Sequence, residues 1–190
     1  KESQPKAFII ENVEGMLHKR HKSFFEELLS LFSNASYQVN WKLINTWEYG
    51  VPQLRRRVFI VGIHESLKKT FTFPKPIPSE KRTTLFDAIS DLPNPDKYTK
   101  EELDKVISNH KDYYNGGFSS RYVSRNRQKQ WHEPSYTIVS QARQLPLYPE
   151  PPNYDIRKME EYDVDPPRRF TVRECLRIQT VPDSFSFSDE

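Results

Sequence analysis

The sequence is short of cysteine and of long apolar runs, and each shortage excludes a class of protein or site. Cys175 is the single cysteine, which excludes an intramolecular disulfide and a cysteine-based zinc site. No apolar run has membrane-spanning length, and the polar start, residues 1–6, is unlike a signal peptide. The five histidines show no metal-ligand spacing. We therefore expect no metal, no membrane partner and a reducing compartment such as the cytoplasm.

Charge and proline are abundant instead. Charged residues make up 29% and hydrophobic residues 35% of the 190 residues, and 15 residues are prolines. Such a chain buries a modest core, so we expect long surface segments or a face that needs a partner. The net charge of +3 is too small to indicate nucleic-acid binding by itself. Cations cluster, however, at 55–57, 121–129 and 168–177, and this segregation favours a polyanionic partner.

The first 70 residues alternate between strand and helix patterns. Residues 7–10 and 58–63 are apolar runs that predict buried strands, and residues 39–44 alternate as a third strand. Ser23 and Glu26 match a capping box at the start of an amphipathic helix. Strand, helix, strand, strand fits part of a doubly wound α/β sheet, which we predict as the first domain.

A proline-rich stretch, 71–78, separates this domain from a second one, which we place at 71–165. Its weak periodicity predicts short helices joined by irregular loops. The last segment, 166–190, is predicted to return as a helix to the junction between the domains. A capping box of Thr171 and Glu174 opens that helix.

Three segments carry a resemblance to a known family. Residues 10–13 read Ile-Glu-Asn-Val at the end of the first predicted strand, and residues 50–62 contain a Gln-x-Arg-x-Arg pattern. Residues 168–185 contain Arg-Glu-x-x-Arg-x-Gln followed by Pro-Asp-Ser-Phe. In this order they resemble blocks of the DNA cytosine-C5 methyltransferases, of the bacterial restriction-modification type. The resemblance covers nearly the whole chain and implies an α/β fold, with a partial doubly wound, Rossmann-like sheet and a smaller, irregular target-recognition domain.

The chain also departs from that family. Only ten residues precede Glu11, so the family's Gly-rich cofactor loop and Pro-Cys-Gln nucleophile loop are missing, as is a later block with a Gly-Asn pair. Val181 stands where the family usually has Phe. The resemblance therefore implies that S-adenosylmethionine binds mostly outside these residues and that the isolated chain is inactive. It also implies a complementing N-terminal methyltransferase chain or parent segment.

The chemistry of cytosine methylation assigns roles to the first two segments. A nucleophile that adds to carbon 6 pushes electrons onto N3 and O2, so an acid near N3 and a cation near O2 stabilise the developing charge. Glu11, at a strand end, suits the acid if it is buried. The resemblance implies that Glu11 contacts N3 and the amino group of a flipped base, with Arg57 at O2. It also implies that Arg55 and Gln53 support the pocket and that Asn12 holds the turn.

Plainer interpretations apply to several of these residues. A glutamate after an apolar strand is usually solvated, and Arg56 should point away from Arg55 and Arg57 towards solvent or phosphate. Cys175 lies within a predicted amphipathic helix, so it is a packing residue rather than a nucleophile. Four residues of the last segment are predicted to organise the domain interface rather than to touch substrate: Arg173, Glu174, Arg177 and Gln179.

The stretch 124–149 is the candidate DNA-reading segment. Arg125 and Arg127 are spaced to project to one side of an extended chain, and Arg143 follows in the same stretch. Guanidinium groups bond bidentately to guanine, so these three are candidate guanine readers, with phosphate contact as the alternative. The pattern is similar to enzymes that methylate GGCC, although residues 140–143 depart from them.

Two further hypotheses remain open. The chain could be a non-catalytic DNA-binding subunit or remnant, or part of an RNA cytosine methyltransferase of related design. The long basic segment argues against the RNA enzyme, which has a short one. The preferred expectation is a double-stranded DNA partner at the nucleoid of a bacterial cytoplasm.

Overall fold

The computed structural model describes residues 3–187 and shows a mixed α/β protein with short elements. The strands are β1 (Ala7–Val13), β2 (Tyr37–Asn45), β3 (Gln53–Leu54), β4 (Arg56–His64) and β5 (Ser135–Tyr136). The helices are α1 (Lys22–Asn34), α2 (Leu85–Ile89), α3 (Lys100–Asp104), α4 (Ser120–Val123) and α5 (Val172–Ile178). Across this described range, no helix is both long and apolar enough to cross a bilayer.

The larger sheet has three strands in the order β1-β4-β2. β4 lies in the centre and pairs antiparallel with both neighbours. Val58 and Ile60 of β4 are fully buried and pack with Phe25 of α1. The predicted strand at 58–63 is therefore confirmed as a buried strand. Because every pair in this sheet is antiparallel, a doubly wound arrangement stays a prediction.

β1 differs from the buried strand that the sequence predicted. It runs on to Val13 and lies at the edge of the sheet. Phe8 and Ile10 pack into the core shared with α1, whereas Ile9 is 68% and Val13 54% exposed. The prediction of burial was wrong because α1 covers only one face of this strand among the described residues.

Of the two capping boxes predicted at helix N-termini, one is confirmed and one was wrong. At α5, the Thr171 hydroxyl accepts a hydrogen bond from the Glu174 N–H, and the Glu174 carboxylate accepts one from the Thr171 N–H, so that capping box is confirmed. The capping box at Ser23 was wrong. A 3₁₀ turn runs directly into α1, which starts at Lys22 without a side-chain cap. Ser23 therefore lies inside the first turn rather than before it.

A second core joins α2 to α5. It is built from Leu85 and Ile89 of α2, Ile178 of α5, and two residues from the connecting chain, Ile138 and Phe170. The final helix thus packs on the middle of the chain. Such packing of one apolar stripe on another supplies most of the stability of short helices.

A short parallel pairing, which the sequence did not predict, connects the two parts of the molecule. β3 pairs with β5, more than 80 residues later in the chain. The Thr137 hydroxyl donates to the Leu54 carbonyl at 2.6 Å, and the Ile138 N–H donates to Gln53 Oε1 at 3.2 Å. The segment just before β4 is therefore bonded directly to the candidate DNA-reading stretch.

A buried polar network supports α5. Glu174 accepts two hydrogen bonds from the Arg168 guanidinium, at 2.7 and 2.8 Å, in the bidentate geometry of strong pairs. His110 is fully buried, with Nε2 2.8 Å from the Pro93 carbonyl and Nδ1 3.0 Å from the Thr171 hydroxyl. A carbonyl can only accept, so Nε2 carries the proton and the neutral ring is the form that fits. Burial lowers the pKa of His110 below its usual 6.5.

This burial predicts a pH-dependent stability. Above pH 6.5 the histidine is neutral in both states and the free energy of unfolding keeps its full value. As the pH falls below that point, His110 is protonated in the unfolded chain but stays neutral in the folded chain, so the free energy of unfolding declines. Urea unfolding at about pH 7.5 and about pH 5.5 measures the difference. His110→Gln, which does not titrate, should show a smaller difference, and equal differences in both proteins would contradict this account.

Candidate functional site

Glu11 of β1 and Arg57 of β4 lie against each other. The Arg57 Nε is 2.9 Å from a Glu11 carboxylate oxygen, and an Arg55 nitrogen is 3.9 Å from the same oxygen. The strand register explains the contact: Glu11 pairs with Phe59 and Val13 pairs with Arg57, so Glu11 and Arg57 are diagonal neighbours on one face. The structure thus brings together the acid and the cation that the sequence singled out.

Arg56 lies on the opposite face, as strand alternation requires. Its guanidinium pairs with Glu14 at 2.9 Å and is separated from the Glu11 cluster. Asn12 accepts a hydrogen bond from the Val13 N–H through its side-chain oxygen, at 2.8 Å. This side chain–backbone bond lies within β1, and the expected role of Asn12 in holding a turn stays a prediction.

The Glu11 side chain is 43% exposed, so the expected burial of this carboxylate is not met among the described residues. The reason is the open face of β1, where Ile9 and Val13 also lie exposed. A carboxyl group beside two guanidinium groups offers hydrogen-bond acceptors and donors at one point. Such a pair can recognise a planar ring whose edge carries both donors and acceptors.

Gln53 occupies a buried position between the sheet and the reading stretch. It is 1% exposed, and its side chain accepts from the Ile138 N–H. Its own carbonyl accepts from the Thr46 hydroxyl at 2.9 Å. Gln53 therefore positions the chain on which Arg55 and Arg57 follow, rather than facing the Glu11 cluster itself.

The three candidate guanine readers have different surroundings. Arg125 is exposed, with no hydrogen bond or ion pair to other side chains in residues 3–187. Arg127 donates through Nε to the Tyr122 carbonyl at 3.1 Å and lies over the Tyr122 ring. Arg127 and the exposed Arg143 line one cavity of about 180 Å³, together with Arg121. Arg121 belongs to the cation cluster at 121–129 but was not predicted from the sequence to be a guanine reader.

Arg169 was also missed as a positioning residue. It is 2% exposed, and its guanidinium lies 4.5–4.8 Å from the ring centres of Phe118, Tyr122 and Tyr114. It donates to the Gly116 carbonyl at 2.9 Å. Tyr122 therefore contacts Arg169 as well as Arg127, and burial raises the pKa of its hydroxyl to about 12. The aromatic residues at 114, 118 and 122, spaced by four, were the available signal.

The arginines of the last segment face inwards instead of towards a polyanion. Arg173 is fully buried and donates to the Ser108 carbonyl and to the Phe185 carbonyl. Arg177 pairs with Asp183 and with Asp91. Together with the pair of Glu174 and Arg168, these contacts tie α5 to the chain on either side of α3 and to the chain before and after α5 itself. The side-chain amide of Gln179, which directly follows α5, donates to the Cys175 carbonyl within that helix. The proposed role of this set at a domain interface stays a prediction.

Cys175 is unsuited to nucleophilic chemistry. It is 8% exposed within α5, and burial raises the pKa of its thiol to about 12. A thiol that stays protonated is a poor nucleophile. In residues 3–187, no group of three or more histidine, cysteine, aspartate or glutamate side chains is arranged to hold a metal ion.

The surroundings of Asn12 do not fit S-adenosylmethionine, the cofactor implied by the resemblance. A surface cavity of about 310 Å³ lies beside Asn12 and Val13, and Arg20 and His21 also line it. Its lining residues include no carboxylate, whereas the cofactor carries a positively charged sulfonium. The guanidinium of Arg20, which lines this cavity, repels the sulfonium.

Comparison with known proteins places this chain in a family. A family model described as C-5 cytosine-specific DNA methylase matches residues 1–190. The type II methyltransferase M.MthTI of Methanothermobacter thermautotrophicus is 42% identical over 98% of this chain, and M.FnuDI of Fusobacterium nucleatum is 39% identical over 98%. The chain spans 58% and 57% of the length of these two relatives.

Solved structures show the same fold at low sequence identity. The S. pombe Dnmt2 methyltransferase superposes with a TM-score of 0.60 at 16% identity, covering 98% of this chain and 57% of that protein. The Entamoeba histolytica methyltransferase EhMeth has a TM-score of 0.55 at 14% identity, covering 92% and 50%. Because the family model matches all 190 residues of this sequence, the chain belongs to the C-5 cytosine-specific DNA methylases.

Proposed function

We propose that this chain supplies target recognition and half of the cytosine pocket of a restriction-modification methyltransferase. The enzyme transfers a methyl group from S-adenosylmethionine to a flipped cytosine in a specific duplex site. The observation that carries the proposal is the contact of Glu11 with Arg57, next to a segment bonded to the DNA-reading stretch. Its place of action is the bacterial nucleoid.

The roles follow from the charge that develops on the ring. Glu11 bonds to N3 and the amino group of the extruded base, and Arg57 donates to O2, where negative charge appears. Arg55, 3.9 Å from Glu11, helps to orient the carboxylate. Gln53 fixes the register of this segment against the reading stretch, and Asn12 holds the turn.

The nucleophile and most of the cofactor site come from a complementing methyltransferase segment, in the same polypeptide or in a second chain. Cys175, the only cysteine of the 190 residues, is buried in α5. β1 is an edge strand, and one of its faces carries the exposed side chains of Ile9 and Val13 beside Glu11. This face is the proposed contact surface for the complementing segment. Covering that face would also bury the Glu11 carboxylate, which favours the protein–base contact over contact with water.

We assign residues 1–70 to the catalytic domain, 71–165 to target recognition and 166–190 to the helix that returns to their junction. GGCC is the proposed target site, read by Arg125, Arg127 and Arg143. The separate core of β1, β2, β4 and α1 supports the first boundary. The packing of α5 on α2 supports a contact of the returning helix with the recognition side of this junction.

A non-catalytic DNA-binding role is the second candidate. The exposure of Glu11 favours it, because a solvated carboxylate needs no catalytic explanation. The two roles differ in what the loss of this carboxylate should do.

Glu11→Gln keeps the shape of the side chain and removes its charge. In the active enzyme it should cut methyl transfer at least a hundredfold, on the scale of a lost acid–base group, and leave duplex affinity nearly unchanged. Radiolabelled methyl transfer and a binding titration measure the two quantities. Glu14→Gln, which loses the pairing with Arg56 on the other face, is the matched control and should transfer normally.

Two outcomes of that experiment would count against the proposal. Near-normal transfer by the Glu11→Gln enzyme would remove Glu11 from the chemistry and favour the non-catalytic role. Robust transfer by the isolated 190-residue chain would contradict the need for a complementing segment.

Base reading by the arginines gives a separate prediction. Arg125→Ala and Arg143→Ala should each weaken binding to cognate duplex by about 1–3 kcal/mol relative to random duplex, which is the worth of a bidentate guanine contact. Lys158→Ala removes an exposed cation of the same region, paired with Glu161 at 3.4 Å, and should leave that ratio unchanged. Equal weakening on both duplexes would identify Arg125 and Arg143 as phosphate contacts.

A further inference from the structure

Residues 18–22, a stretch called here the basic turn, have no role in the proposed chemistry. They read His-Lys-Arg-His-Lys, and all five are exposed. They form a 3₁₀ turn, Lys19–His21, and the first residue of α1. The turn follows β1 after a single short 3₁₀ helix, Glu14–Leu17, so the chain carries it close to Glu11.

The net positive charge of the chain is concentrated around this turn. Residues 11–22 and 55–57 together contain six lysines and arginines and two glutamates, an excess of four positive charges. The chain as a whole has 29 cations and 26 carboxylates. The remaining residues therefore hold 23 cations and 24 carboxylates, a net charge of −1. The excess cations belong to one end of the larger sheet, where Glu11 and Arg57 meet.

The cations of the basic turn have few protein partners. Arg20 donates through Nε to the His21 ring at 3.1 Å, and Lys22 lies 3.7 Å from Glu26 in an exposed pair worth little. His18 and Lys19 have no ion pair within residues 3–187. The charges also oppose the dipole of α1, which has no acidic residue in its first turn. Helix stability therefore does not explain them, and sequences depart from such local rules mainly at functional sites.

The basic turn lies beside the proposed cytosine pocket. Arg20 and His21 line the cavity of about 310 Å³ that Asn12 and Val13 also line, directly after Glu11. Arg20, Lys19 and His18 line a second, open cavity. Arg20 thus lines both cavities. A ligand held by this turn would lie next to whatever enters the pocket.

We propose that the basic turn binds backbone phosphates of the strand that carries the target cytosine, beside the extruded nucleotide. The inference rests on the proposed function and names a DNA contact in the catalytic domain, far along the chain from the reading stretch. Lysine and arginine neutralise phosphates regardless of sequence, so this contact adds affinity and holds the distorted backbone without reading bases. Arg125, Arg127 and Arg143 of the recognition domain then discriminate the cognate base sequence from others.

The test replaces Lys19 and Arg20 together by glutamine in the active enzyme and measures duplex affinity over a range of salt concentrations. Affinity should fall roughly tenfold for cognate and random duplex alike, and the slope of log affinity against log salt should decrease by about 2. Lys68→Gln with Lys69→Gln is the matched control, since these lysines line a cavity with Tyr37 and Gln38 at the other end of the sheet. The control should keep both the affinity and the slope.

Three results separate this inference from the function on which it rests. Unchanged affinity and slope in the Lys19→Gln, Arg20→Gln enzyme, with a wild type that binds and methylates DNA, would overturn the phosphate contact alone. A loss on cognate duplex only would make the turn a base reader and would also overturn it. A wild-type assembly that neither binds nor methylates duplex would overturn the proposed function and this inference together.

Discussion

The antiparallel pairing of β1 with β4 is the constraint on which the site depends. The register sets Val13 opposite Arg57 and therefore places Glu11 diagonally beside it, 2.9 Å from its guanidinium. A shift of one residue would send Glu11 to the face that packs on α1. Phe8 and Ile10 oppose such a shift, because they fill the core between the sheet and α1. A hydrophobic pattern thus fixes the position of a polar pair.

Residues 53–57 connect the Glu11–Arg57 pair to the DNA-reading stretch. Gln53 and Leu54 precede Arg55 and are hydrogen-bonded to the chain at 135–138. A base drawn to Glu11 and Arg57 would then lie beside residues 53–54, which share hydrogen bonds with the DNA-reading stretch. The buried side chain of Gln53 makes this connection specific, since a buried amide that lost its partner would cost about 1–3 kcal/mol.

The sequence predicted what depends on local pattern and missed what depends on distant contacts. The apolar run of β4 and the capping box of α5 each lie within a few residues, and both were predicted. The pairing of β3 with β5 joins residues more than 80 positions apart, beyond any periodicity. Arginine clusters were also ambiguous. The arginines at 168–177 are buried or half-buried against carbonyls, aromatic rings and carboxylates, whereas the cations at 18–22 are exposed, and only the structure shows this difference.

The central claim is that Glu11 and Arg57 act as one unit on a single pyrimidine ring. Methyl transfer by the active enzyme, measured as kcat/KM for Glu11→Gln, Arg57→Gln and the double variant, tests it most directly. Groups that act together are strongly non-additive, so the double variant should lose little more than the worse single variant. A loss equal to the product of the two single losses would mean that the side chains act independently, and it would contradict the shared pocket.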